Sequence, residues 1–408
     1  MKMIARLQAR SLRLLPTVSG VLSACILWAL TSGCNNVLNS SSGSFGGNLN
    51  SVTNVTQKDE IAANLESLEV DNRFGAVNVV DAGDGTGEWS WTLTVRAMND
   101  SLAKEAAAAA NCKADRTGGR LRLLVSLPDS NGKQGFRSDL EIRVPKSVNV
   151  RTMNRFGHTT ISGLKGDVDA AGQNGAVKIQ NIGGKVKAQT SFASLTVSDV
   201  GPAALKNQNG RIEATHIRGA LDAETSFASL VAKDIGGPVT LRNQNGGIEM
   251  AGAKGNADLK TSFAPLSAEK IAGSATLANQ NGSIKGRDII GSVKATTSFA
   301  PLEVESGGAI LVCRNQNGSI RLRSTSHELA KVDAATSFGS LEVHLPSGMK
   351  PAIQASTSFA KVESDFPVLM KPTGQDPFAD VEPGAPRVSL QNQNGPIRIL
   401  REAQSASR

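Results

Sequence analysis

The chain has 408 residues and a formal charge of +8; it is 39% hydrophobic but only 4% aromatic, with no Tyr. So few aromatic side chains argue against a large globular core and for a narrow one built from Val, Ile, Leu and Ala. Four of the cations, Lys2, Arg6, Arg10 and Arg13, crowd into the leader, and the rest are scattered without interleaved aromatics, so no nucleic acid is expected as a partner.

Residues 1–34 read as an export signal: a basic stretch to Arg13, an apolar stretch from Leu14 to Leu30, then Thr31-Ser32-Gly33-Cys34. The order also resembles a bacterial lipoprotein leader, in which cleavage precedes a cysteine that is then acylated. Cys34 ends the apolar run and opens into polar sequence, so it is the favoured lipidation site, with Cys25 in Leu22-Ser23-Ala24-Cys25 as the alternative. A cleaved signal peptide and an uncleaved anchor remain open. The expected location is the outer membrane, periplasmic or surface-facing, with the membrane reached through the lipid anchor. Asn35 rather than Asp after the cysteine accords with that by resemblance to enteric lipoproteins.

Residues 35–59, rich in Ser, Asn and Gly, read as a polar tether. Residues 60–153 read as a non-repetitive β region capping the first coil. Within it, Asn72-Arg73-Phe74-Gly75 is an early copy of a motif met later. Trp89, Trp91, Leu93 and Val95 share one strand face. Asn99 to Ala110 reads as a helix capped by Asp100 or Ser101, and 120–127 and 139–145 as strands.

From residue 154 to 400 the sequence repeats. Units opening Thr-Ser-Phe-Ala alternate with units opening Asn-Gln-Asn-Gly. One column runs Phe156, Asn174, Phe192, Asn209, Phe227, Asn245, Phe263, Asn281, Phe299, Asn317, Phe338. The steps are 18 residues, except for one of 17 and a last one of 21. The alternation then breaks, Phe359 following Phe338 directly, and Asn394 closes the series after an irregular insertion at 364–387, read as the other cap. Residues 401–408 form a polar tail.

Each unit carries two short alternating strands, such as 229–234 and 238–242, with Pro238, Pro265, Pro301 and Pro396 at strand starts. A unit of this kind buries its apolar face only by stacking on its neighbours, which predicts an all-β parallel solenoid, or β-helix. Asn-Gly is expected to supply positive φ for the turn. An 18-residue coil would set Phe over Asn at each step; a 36-residue coil of four strands would let like stack on like. The expected coil is therefore 36 residues, with a structural Phe ladder of Phe192, Phe227, Phe263, Phe299 and Phe338 and an Asn ladder of Asn209, Asn245, Asn281 and Asn317.

Together with Asp139-Leu140-Glu141-Ile142-Arg143-Val144-Pro145, Asn154-Arg155-Phe156-Gly157 and Ile161-Ser162-Gly163-Leu164-Lys165-Gly166-Asp167-Val168, these units resemble the bacterial putative-adhesin family. That family is a β-solenoid domain of unknown function found in envelope proteins. The resemblance spans roughly 60–400 and implies adhesion, with no catalytic residues to carry over.

Chemistry-bearing motifs are sparse. His158, His216, His327 and His344 fall in different units without metal-ligand spacing, so no metal or cofactor is expected. Nucleophile elbow, phosphate loop and Cys-x-x-Cys are absent. Cys112 and Cys313 read as inert thiols rather than a disulfide. The reading for function is a non-catalytic envelope adhesin or scaffold contacting glycan or protein through outward strand positions such as Lys233, Thr240 and Arg242. The alternative is a carbohydrate-active β-helix enzyme, a polysaccharide lyase or hydrolase, for which Asp199 and Asp234 are the candidate carboxylate pair.

Overall fold

A computed structural model describes residues 37–42, 49–83, 86–130, 132–369, 378 and 381–402, the first of these segments as backbone only. The chain divides into two units, Met1–Cys34 and Asn35–Arg408. The first, with both candidate lipidation cysteines, lies outside the described residues, as does the tail after Glu402.

The second unit is a parallel β-solenoid of two facing sheets around one narrow core of Leu, Val, Ile and Ala. Each coil gives one strand to each sheet. Leu221 pairs with Val239 and Val239 with Ala257 in one sheet; Leu230 pairs with Ile248 and Ile248 with Leu266 in the other. Each of these partners lies 18 residues on, so the coil holds 18 residues and two strands, and the expectation of 36 is overturned. Two facing strands already bury the apolar positions of both, as Leu241 and Leu230 show. A four-strand coil would enclose a wider space that these small side chains cannot fill.

In the coils from Val177 to Ile289 the inward phase slips by one residue near the end of the second strand, while Leu302–Ser306 and Ile320–Ser324 keep strict alternation. Leu230 and Ala232 point in, and so does Ile235. The slip is made at Asp234, whose φ of 56° turns the chain. Asn181, Asp199, His216, Lys270 and Asp288 occupy the same left-handed position in other coils, and Gly252 does so at 84°. Positive φ therefore belongs to this corner and not to the Asn-Gly corner, where Gly210, Gly246, Gly282 and Gly318 keep ordinary φ.

Both ends are folded back. At the N-terminal end, Ser67–Phe74 and Val77–Asp81 lie directly on Asn149–Phe156 and Thr159–Ser162. They form a coil of the solenoid inside residues 60–153. Arg120–Ser126 and Gln134–Val144, later in sequence, pair in parallel with that coil on its outer side. Gly87–Ala97 then pairs antiparallel with Gln134–Val144, and Ser51–Ile61 with Gly87–Ala97. Part of the expected tether is thus a strand of the cap, since Thr53, Val55, Gln57 and Ile61 alternate inward. Helix Asp100–Ala109 packs on these strands through Ala103, Ala106 and Ala107. Its cap is Asn99, not Asp100 or Ser101: the Asn99 side chain accepts from the Leu102 N–H at 2.9 Å. Trp89, Trp91, Leu93 and Val95 are all buried, and the Trp91 indole donates to Ser138 Oγ at 2.7 Å.

The C-terminal end repeats the device. Arg387–Asn392 pairs with Lys331–Thr336 on one side and with Ala352–Thr357 on the other. Ile397–Glu402 likewise lies between Leu341–Pro346 and Val362–Ser364. The last coil in sequence is therefore the second-to-last in space. Beyond it, Phe366 is buried, Val368 bridges to Ile353, and the Arg401 guanidinium lies 4.4 Å from the Phe366 ring centre.

Candidate functional site

The corner after each first strand carries the Thr-Ser-Phe-Ala and Asn-Gln-Asn-Gly motifs. Its opening residue keeps the inward phase of the strand: Leu221, Ala223, Thr225 in one coil and Val239, Leu241, Asn243 in the next, all buried. These buried polar heads need partners, and each finds them in the coil before. Thr225 Oγ1 donates to the Gly210 carbonyl at 3.1 Å, and Thr261 Oγ1 to Gly246 at 2.9 Å. Asn243 Nδ2 donates to the Ala228 carbonyl at 2.8 Å, while its Oδ1 accepts from the Gly246 N–H at 3.1 Å. The same set recurs at Asn207, Asn279, Asn315 and Asn392.

The fit also selects glycine. A Cβ on Gly246 would lie 2.1 Å from the Ala228 carbonyl oxygen, and one on Gly210 would lie 2.0 Å from that of Ala193. The Asn corner must therefore end in Gly so that it can sit on a Phe corner.

These bonds fix Thr, Ala, Asn and Gly and leave the Phe side chain unused. Phe192, Phe227, Phe263 and Phe299 are 56–58% exposed, and Phe156, Phe338 and Phe359 also stand out of the edge. They do not form the expected ladder. With 18-residue coils each Phe has Asn corners beside it, and the next Phe is two coils away, about 9.6 Å along the rod. Asn209, Asn245, Asn281 and Asn317 form no amide ladder either. Their backbone N–H groups donate to the carbonyls of Ser191, Ser226, Ser262 and Ser298 in the Phe coil before, at 2.7–2.8 Å. The amides of Asn209 and Asn245 turn back to the same carbonyls. The buried Thr/Asn column was missed at the sequence level, although spacing by two from the core residues marks it.

The break between Phe338 and Phe359 disappears in space. Asn394 N–H donates to the Ser337 carbonyl at 2.9 Å, and Ser358 N–H donates to Gln393 at 3.1 Å. The tucked-in coil thus sets Asn394 between Phe338 and Phe359, and the alternation runs unbroken from Phe156 to the end of the solenoid. From Gln173 to Gly339 the crest of the edge reads only Ser-Phe-Ala (Gly at 339) or Gln-Asn-Gly, without a charged residue. At the other end, where two Phe coils adjoin, Phe74 and Phe156 stack with centroids 5.1 Å apart and planes 19° apart, and the Arg73 guanidinium lies 5.1 Å from the Phe74 ring centre.

The opposite edge holds the carboxylates considered for catalysis. His216 lies between them, its Nδ1 3.8 Å from Asp199 and its Nε2 3.5 Å from Asp234. All three side chains are more than half exposed, so water screens the interaction. Asp199 and Asp234 are two coils apart with an imidazole between, and their shared role is to turn the chain. A groove of ≈ 760 Å³ beside this edge is lined by Val168, Val186, Leu221 and Pro202 with Lys185 and Lys187 and the carboxylates Glu69, Asp167, Asp169 and Asp222. Among the described residues no group of three or more His, Cys, Asp or Glu is placed to hold a metal. Lys233 and Arg242 lie on the sheet faces, paired with Glu249 and Asp258 in the next coil. Cys112 and Cys313 are both buried thiols, and burial pushes that of Cys313 up to about 12.

No family model matches the chain, and no curated protein matches it. Among solved structures it is similar to a putative cell adhesion protein from Clostridium sporogenes, at 11% identity over 85% of this chain and 99% of that one, with a TM-score of 0.18. It is also similar to a putative adhesin from Parabacteroides merdae, at 12% identity over 86% and 96%, TM-score 0.22, and to one from Parabacteroides distasonis, at 11% over 85% and 97%, TM-score 0.21. These proteins carry the adhesin name to which the sequence resemblance points, while TM-scores of 0.18–0.22 transfer no property to this chain.

Proposed function

We propose that the protein is a non-catalytic rod of the cell envelope, an adhesin or scaffold that makes multivalent contacts through its uncharged Phe/Asn edge. The observation that carries this reading is the row of exposed phenylalanines. The corner hydrogen bonds account for Thr, the first Asn and Gly of the motifs and leave the Phe side chain exposed, and exposed aromatic rows cost solubility unless something covers them. Repetition of one weak site along a rod suits avidity; catalysis calls for one irregular cluster of pre-organised groups. Export, and anchoring in the outer membrane by acylation at Cys34 or alternatively at Cys25, complete the proposal. Two acyl chains give stable anchoring.

The test is binding of residues 35–408 to arrays of neutral glycans and matrix proteins and to intact cells, beside the Phe227→Ser/Phe263→Ser/Phe299→Ser variant. Binding should fall stepwise as Phe residues are removed. Turnover of a polysaccharide that vanishes in Asp199→Ala/Asp234→Ala would establish the β-helix enzyme instead. Intact-mass analysis of the native protein should find acylation at Cys34; an unmodified chain would remove the anchor.

A further inference from the structure

We infer that the partner of the Phe/Asn edge is a second copy of this chain, docked edge to edge so that the Phe rings of each copy enter the slots between those of the other. The inference rests on the reading of this edge as a contact surface and names what covers it. Four observations carry it.

The edge is complementary to itself. Exposed rings recur every second coil, and the slots from Phe192 to Phe359 have a shorter, half-buried Asn as their floor. A two-fold axis across the rod, placed midway between a Phe coil and an Asn coil, sets every ring of one copy opposite a slot of the other and closes the assembly as a dimer. The chain itself shows what fills such a slot. Where Phe occupies two successive coils, Phe74 stacks on Phe156 at 5.1 Å, near the coil spacing.

Charge does not oppose the contact, because the crest carries Phe, Ser, Ala, Gln, Asn and Gly over its regular length. Identical charged edges would repel; from Gln173 to Gly339 this one presents rings, amides and small uncharged side chains, and Arg155 beside Phe156 lies outside that stretch. The area is also sufficient. Seven crest rings from Phe156 to Phe359 are 47–79% exposed. At ~150–250 Å² per phenylalanine they offer about 800 Å² per copy, what one partner contributes to a standard interface.

Finally, the period is kept in space where it fails in sequence. Asn394, brought in by the tucked coil, restores the slot between Phe338 and Phe359. A slot-and-ring surface requires spatial period and is indifferent to chain order.

The experiment is sedimentation velocity on residues 35–408, a compact unit in its own right, over a micromolar concentration series. Two variants accompany it: Phe227→Ser/Phe263→Ser/Phe299→Ser, which removes rings, and Asn245→Phe/Asn281→Phe, which fills slots. Thermal melts establish that both are folded. The wild type should sediment as a dimer, and both variants should dissociate at least about tenfold more readily. The slot-filling variant is decisive, because it adds exposed apolar surface: a merely sticky edge would make it associate more. A monomeric wild type, or a slot-filled variant that associates as tightly as wild type, overturns the inference. If a monomeric wild type instead binds an extended neutral polysaccharide or a phospholipid vesicle through its Phe residues, the second copy is wrong and the contact edge stands. If the wild type neither associates nor binds any of these surfaces, both readings fail.

Discussion

Asn243 makes three hydrogen bonds across two coils with one buried amide: two carbonyls accept from its Nδ2, at Ala228 and Gly247, and the Gly246 N–H donates to its Oδ1. Asn243→Ala should cost roughly 1–3 kcal/mol, because it strands buried backbone groups and not only a side chain. Gly246→Ala should cost at least as much, since its Cβ meets the Ala228 carbonyl oxygen at 2.1 Å. Substituting Ala228 by Gly should be mild by comparison. Chemical denaturation of the three variants checks the order. The Phe crest behaves differently: Phe227→Ser should leave stability nearly unchanged. At this scale the sequence showed where the motifs lie but misassigned their parts. Phe and the second Asn are the conspicuous letters, whereas the buried, bonded residues are Thr225 and Asn243, legible only by counting alternation from Leu221 and Val239. The Asn-Gly pair was misleading for a physical reason. Glycine is needed there for close approach between coils, and positive φ is carried by Asp199, His216 and Asp234 instead.

Between strands, the outer faces are laced by charge pairs from coil to coil. The densest group joins Arg321 to Glu342 at 3.1 Å, His344 to Glu342 at 2.7 Å and Arg323 to Glu402 at 2.7 Å. The His344 hydrogen bond, helped by Arg321, holds the Glu342 carboxyl below the usual carboxylate range despite partial burial. A group whose folded pKa is depressed stabilises the fold above its unfolded pKa, and that contribution is lost as pH falls through the folded value. Glu342→Gln should therefore cost about 0.5–1 kcal/mol at neutral pH and progressively less as pH falls through the folded pKa of Glu342, so its stability profile across acid pH should be flatter than that of wild type.

The tucked coil makes a sharper prediction. Among the described residues, the solenoid strand with which Ala352–Thr357 pairs is Arg387–Asn392. In a chain ending at residue 386, the amides of 352–357 should lose their protection from hydrogen exchange. Retained protection would mean that they dock directly on Lys331–Thr336. Strands, their lengths and the parallel stacking were readable from period-two alternation and the 18-residue repeat. The end geometry was not, because insertion of one coil between two others leaves no local signal, only an apparent fault in the alternation.

As a whole molecule, the solenoid hides both chain-proximal coils one layer in from its ends. Ser67–Asp81 is covered by Arg120–Val144, and Arg387–Glu402 by Ala352–Ser364. At the C-terminal end fraying from the terminus must then disturb two coils at once, whereas at the N-terminal end Ser51–Ile61 lies on the outer side of Gly87–Ala97. About fifteen coils at ~4.8 Å each give a rod of about 70 Å, along which the crest presents its rings at even spacing. The coil size was the expectation that failed most consequentially. Stacking like on like is favourable for exposed aromatic and amide side chains, but here the corner is set by buried bonds between unlike coils. With that corrected, the edge becomes a row of rings and slots, which is the surface on which the proposed function depends.

The central claim, that alternation is kept in space rather than in sequence, is tested most directly by disulfide pairing at the C-terminal end. Asp333 faces Ser389, and Ser389 faces Gln354, on adjacent parallel strands, where Cα atoms about 5 Å apart suit a disulfide. Under mild oxidation, Asp333→Cys/Ser389→Cys and Ser389→Cys/Gln354→Cys should each cross-link in nearly full yield, and Asp333→Cys/Gln354→Cys should not. Cross-linking of the last pair with failure of the first two would place the coils in sequence order, Phe338 beside Phe359, and contradict the account.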